Sequence, residues 1–118
     1  MASGDDIRAR AFRFACDVIA LNDRLAPRGG TRDLTRQLLR AGTSIGANLE
    51  EADAGQSRAD FASKCTIALK EARESHYWLR LLEASGKMTD GERLISDANE
   101  LVAILTAIVR KVSEQPKP

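Results

Sequence analysis

Four stretches of this chain set apolar residues at alternating steps of three and four, and no other sequence feature limits its fold so tightly. At 3.6 residues per turn, such steps stack side chains on one face of a helix. The first stretch carries Ala11, Phe14, Val18, Leu21 and Leu25, and Pro27, Gly29 and Gly30 end it. Thr31 reads as an N-cap for the second, which runs through Leu34, Leu38, Ala41, Ile45, Asn48 and Ala52 toward Gly55. The third is the longest, with Phe61, Cys65, Ala68, Ala72, Ser75, Leu79 and Leu82 closed by Ser85 and Gly86 as a left-handed stop. The fourth opens with Thr89 and Glu92 in capping-box spacing, then runs Leu94, Ala98, Leu101, Leu105, Ile108 and Val112 into a polar tail containing Pro116 and Pro118. No period-two alternation competes for a strand.

This spacing predicts helices over roughly 5–25, 32–54, 58–85 and 90–113, with a frayed tail at 114–118. A chain of 118 residues can build one hydrophobic core but not two. Short connections between long helices make sequential helices antiparallel neighbours, so the expected fold is a single all-α, up-down-up-down four-helix bundle. The aromatic content of 4% suits an aliphatic interior. No apolar run approaches the roughly 18–20 residues that span a bilayer. Asp5 and Asp6, followed by Arg8, Arg10 and Arg13, leave no signal-peptide stretch, and the expected location is the cytoplasm. Cys16 and Cys65 both fall within helical patterns without paired spacing, which predicts buried, inert thiols.

The polar residues offer little chemistry. A di-iron bundle requires Glu-x-x-His on two helices, yet this chain has one histidine, and the residue three before His76 is Arg73. No metal and no cofactor is expected. Ser44 lacks a nucleophile turn, and Gly42 and Gly46 interrupt a helix where a phosphate loop would join a strand to one. Their expected role is close approach of a neighbouring helix. An enzyme here would have to act through Glu51, Glu71 or His76, and the sequence predicts a protein that is not an enzyme.

Three surface features remain. Ser44, Asn48 and Glu51 lie on one stripe of the second helix, with Glu71 and Ser75 of the third as candidate partners for Asn48 on the seam. Arg28, Arg32, Arg36 and Arg40 recur every four residues, and the last three form a candidate ridge for the phosphates of RNA or DNA, set against the plainer reading of a solvated face. The net charge of +1 hides this asymmetry: from Ile7 to Ala47 there are eight arginines and three aspartates. No aromatic platform for stacking single-stranded bases is evident. Tyr77, Trp78 and Leu81 widen the apolar surface of the third helix, making them candidate contacts with another subunit or a protein partner.

The stretch from Gln37 to Gly86 resembles the bacterial four-helix-bundle proteins encoded in 23S rRNA intervening sequences. The resemblance is carried by Ser44, Ile45, Asn48 and Glu51, then Ser57 and Phe61, then Ile67, Ala68, Lys70, Glu71 and Ala72, and Trp78 with Leu79. That family looks to include the accessory variability protein of diversity-generating retroelements, a basic ring-shaped pentamer that associates with a reverse transcriptase and nucleic acid. The resemblance therefore implies a homopentamer and supplies no catalytic residues. In the family a glycine often follows soon after the glutamate matched by Glu51, whereas here Ala52, Asp53 and Ala54 precede Gly55. The near-neutral charge also departs from a basic accessory protein.

Overall fold

The computed structural model describes residues 4–27, 30–54 and 57–114, with side chains from Ile7 onward. The expectations placed on Arg28, Gly29, Gly55, Pro116 and Pro118 fall outside these residues. Four helices are present: α1 (Gly4–Leu25), α2 (Arg32–Ala54), α3 (Arg58–Ala84) and α4 (Glu92–Glu114). Each packs on the next, and α4 returns to α1 to close the bundle. Descending pairs across the α1–α2 and α1–α4 seams show both neighbours of α1 running antiparallel to it. Ala11 and Val18 lie against Gly46 and Gly42, while Arg10, Asp17 and Arg24 meet Glu100, Arg93 and Asp90.

The seam residues form the core. Ala11, Phe14, Val18, Leu21 and Leu25 of α1 are all buried, as are Leu38, Ala41, Ile45 and Ala52 of α2 and Leu79 and Leu82 of α3. Phe61, the expected first core residue of α3, is instead 36% exposed. It sits at the end of the bundle, where it joins Ile7, Leu49, Ala52, Cys65 and Ile108 around a small hollow.

The helix ends follow local rules with one correction. Ser57 caps α3, its side chain accepting the Asp60 N–H at 3.1 Å. At the far end Gly86 takes φ +76°, Lys87 N–H donates to the Leu82 carbonyl at 2.9 Å, and Gly86 N–H donates to that of Glu83 at 3.1 Å. This is the paired closure of a Schellman motif, which favours glycine at the left-handed position. Thr31 directly precedes α2, its carbonyl accepting Thr35 N–H at 2.9 Å and its hydroxyl donating to the Leu25 carbonyl at 3.2 Å, so it ties two helix ends together. Helix α4 does not open on Thr89. It starts at Glu92, with the Gly91 carbonyl accepting Ile95 N–H at 2.9 Å. The buried Met88 thioether fills the space a side chain at position 91 would take, so the chain turns into the helix at that glycine.

Two glycines one turn apart set the α1–α2 distance. A Cβ on Gly42 would lie 3.0 and 3.1 Å from the two γ-methyls of Val18, which is fully buried and stiff about χ1. A Cβ on Gly46 would meet the Ala11 Cβ at 3.7 Å, an ordinary contact. The two positions should therefore respond oppositely to alanine. In urea unfolding we expect Gly42→Ala to destabilise the fold by about 1–2 kcal/mol through overpacking, and Gly46→Ala to stabilise it by about 0.5–1 kcal/mol through helix propensity.

Candidate functional site

The α2–α3 seam holds the one buried acid of the described core. Glu71 is 8% exposed, and Arg40 reaches across from α2 to satisfy it, Nη1 donating to both carboxylate oxygens at 3.2 Å. The same guanidinium donates from Nη2 to Glu74 Oε1 at 2.6 Å. Burial alone would lower the Arg40 pKa, but the Glu71 and Glu74 carboxylates outweigh it and hold it above its ordinary value. Arg40 is thus a fixed cross-link between helices.

The polar stripe of α2 does not join this cross-link. Ser44 Oγ donates to the Arg40 carbonyl at 2.7 Å and Asn48 Nδ2 to the Ser44 carbonyl at 2.8 Å, so each is satisfied by its own helix one turn back. Ser75 does the same on α3, donating to the Glu71 carbonyl at 2.9 Å. Glu51 is exposed one turn beyond Asn48. Of Ser44, Asn48, Glu51 and Glu71, only Glu71 crosses a helix boundary through its side chain.

The arginine ridge divides in the same way. Each four-residue step along a helix rotates the side chain by about 40°, so Arg32 leans toward α1, Arg36 points outward and Arg40 turns to α3. Arg32 and Arg36 line a shallow hollow with Asn22, Ala26, Thr35 and Leu39. Both are exposed, and among the described residues neither makes an ion pair.

On α3, Trp78 and Leu81 are half-buried, and the Trp78 indole N–H is buried without a partner among the described residues. Tyr77 is 48% exposed and meets Trp78 edge-to-face at 5.4 Å. An exposed aromatic ring is therefore present, contrary to the sequence expectation. Tyr77 was read there, with Trp78 and Leu81, as apolar surface for a contact with another subunit or a protein partner.

The sequence reading also missed the outer face of α1. Phe12 is 68% exposed and Ile19 45%, and exposed Cys16 lies between them at helical spacing. Cys16 is thus not the buried thiol expected; only Cys65 is, and burial pushes its pKa up. The signal was available, since 12, 16 and 19 repeat the steps of the core stripe on the opposite side of the helix.

Between α1 and α4 the contact is thinnest, and charge bridges it. Arg93 donates to Asp17 at 2.8 Å and Arg10 to Glu100 at 3.2 Å, with Arg24 3.7 Å from Asp90. Among the described residues no group of three or more His, Cys, Asp or Glu is placed to hold a metal ion. None of the described helices is long and apolar enough to cross a membrane.

The family model of the 23S rRNA-intervening sequence protein matches residues 5–107, from the start of α1 into the last turns of α4. The chain belongs to this family. A crystal structure of a protein of unknown function from the S23 ribosomal protein family of Bacteroides thetaiotaomicron is similar at a TM-score of 0.84 and 39% identity, covering 88% of this chain and 98% of that one. No curated protein matches the chain. Family membership therefore accounts for all four helices and assigns no activity.

Two predictions follow from the α2–α3 seam and its neighbour His76. Arg40→Ala strands the Glu71 carboxylate and should cost roughly 1–3 kcal/mol in urea unfolding, between the ranges for exposed and buried pairs, whereas Arg36→Ala should stay within about 0.5 kcal/mol of the parent. Burial, then the nearby Arg80 charge, lowers the His76 pKa below the ordinary histidine value of about 6.5. The unfolded chain then binds the proton more readily than the folded one, so the His76 contribution falls as pH drops from about 6.5 through the folded-state pKa. Thermal melts should show this slope, and His76→Gln should remove it.

Proposed function

We propose that this protein is a non-enzymatic helical scaffold that assembles with copies of itself, with the outer face of α1 as a contact surface. The observation that carries the reading is the exposure of Phe12 and Ile19 on one charge-poor stripe. Single exposed apolar residues need no explanation, but a large aromatic and a β-branched residue aligned along one helix make a patch of the kind that partners cover. The resemblance noted in the sequence supports a ring of five as the assembly. A ring of more than two copies requires two different patches on each subunit. Tyr77, Trp78 and Leu81 on α3, diagonal to α1 in the bundle, remain candidates for the second.

A further reading makes the scaffold an accessory that binds nucleic acid, RNA or DNA, in the cytoplasm. It is supported by Arg32 and Arg36, exposed and without ion pairs among the described residues. Arg40 contributes less to it, because two carboxylates already hold its guanidinium.

Sedimentation velocity at micromolar concentration tests the assembly. The parent should sediment as a closed oligomer, and a Phe12→Ser, Ile19→Ser double variant should sediment as a folded monomer. Its helical circular dichroism should be unchanged, because both positions face outward. A monomeric parent, or a variant that assembles as the parent does, would sink the proposal.

A further inference from the structure

The outer face of α3 carries a charge arrangement that neither the arginine ridge nor the apolar stripe of α1 explains. Lys70, Arg73, Tyr77 and Arg80 follow one another at steps of three, four and three, which places them along a single side of the helix over about 15 Å. All four are exposed. Among the described residues Lys70 and Arg73 make no ion pair, and the contact of Arg80 is with an aromatic ring, its guanidinium carbon lying 5.9 Å from the Tyr77 centroid.

Of the acids beside this row, Glu83 lies past its end, three residues after Arg80, and the two that flank its middle are held elsewhere. Glu71 is buried in the α2–α3 seam, and Glu74, one turn from both Lys70 and Tyr77, is drawn toward α2 by Arg40 at 2.6 Å. One arginine from the neighbouring helix thus occupies both acids and leaves the cations of α3 facing solvent. The lowered pKa of His76, caused first by burial and then by Arg80, agrees with a positive field on this side.

We infer that the outer face of α3 is a binding site for single-stranded nucleic acid, with a base stacked on Tyr77 and the flanking phosphates held by Lys70, Arg73 and Arg80. The chemistry needs both parts. Cations alone attract any polyanion, duplex included, whereas an exposed ring among them adds a contact that only an unpaired base can make. Arg80 over the ring fixes its orientation, and the remaining exposure of Tyr77 is the surface on which the base would lie. Two such rows brought face to face would oppose Lys70, Arg73 and Arg80 to their counterparts, so a second copy reaching α3 would do so along the Trp78 and Leu81 flank of the helix and leave this row to the nucleic acid. This site rests on the nucleic-acid reading above but uses a different helix.

Fluorescence anisotropy with a labelled oligouridylate, its oligothymidylate counterpart and a duplex of matched length tests the site. We expect both single strands to bind, with Tyr77→Leu weakening them roughly tenfold, Tyr77→Phe retaining affinity, and duplex binding indifferent to either change. Replacing Lys70, Arg73 and Arg80 by alanine should lower the slope of log affinity against log salt by about two for the single strands. If the parent binds none of the three probes, the nucleic-acid reading fails as a whole. If single strands bind but Tyr77→Leu leaves them unaffected, or weakens duplex equally, the stacking site on α3 is wrong while the α2 ridge survives. Tighter binding of either strand than of the duplex supports the site.

Discussion

The bundle rests on how closely its helices approach. Ala11, Ala41, Ala68, Ala72 and Ala98 have no exposed surface, and Gly42 lets Val18 sit where a methyl group would otherwise stand. Small residues at these layers bring backbones together, and the larger aliphatic side chains Leu21, Ile45, Leu79, Leu101 and Leu105 fill the levels between. Such a core has little room for a cofactor and little need of aromatic residues. Of the rings it does not take in, Phe12 and Tyr77 stand on the outside of α1 and α3, and Phe61 lies at the start of α3.

The outside is divided by helix. The outer stripe of α1 through Phe12, Cys16 and Ile19 is apolar, the first half of α2 and the outer row of α3 carry cations, the second half of α2 is acidic, and the seam between α1 and α4 is a ladder of opposite charges. This division lets a chain of net charge +1 carry local cationic rows. Some of the acids are held in contacts, two of them by a single arginine in each case: Glu71 and Glu74 by Arg40, Asp17 and Asp97 by Arg93. Whole-chain charge is therefore a poor guide to what this protein attracts.

Periodicity made the four helices and almost all of their core legible, because a residue's face follows from its position in the turn. The start of α4 was misread because Thr89 and Glu92 have the right spacing for a capping box, while the packing of Met88 over Gly91 is tertiary and leaves no local mark. The partner of Glu71 was equally hidden. Asn48 looked suitable by type, but choosing Arg40 requires the register of α2 against α3, which emerges only when the seams are packed. Asn48 on a seam suggested a cross-helix contact, yet its amide folds back to the Ser44 carbonyl at 2.8 Å. Cys16 was taken as core because helical spacing held on both sides of α1, and spacing does not say which side faces in.

The charged ladder of α1 and α4 has a consequence for how the molecule breathes. The other three seams are wider and carry aliphatic packing, whereas this one is thin and relies on exposed ion pairs that dissolved salt screens. Ionic strength therefore acts on one edge of the molecule and not uniformly. Screening these pairs weakens the hold of α1 on α4 before it touches the central hairpin of α2 and α3, so this edge is where local opening would begin.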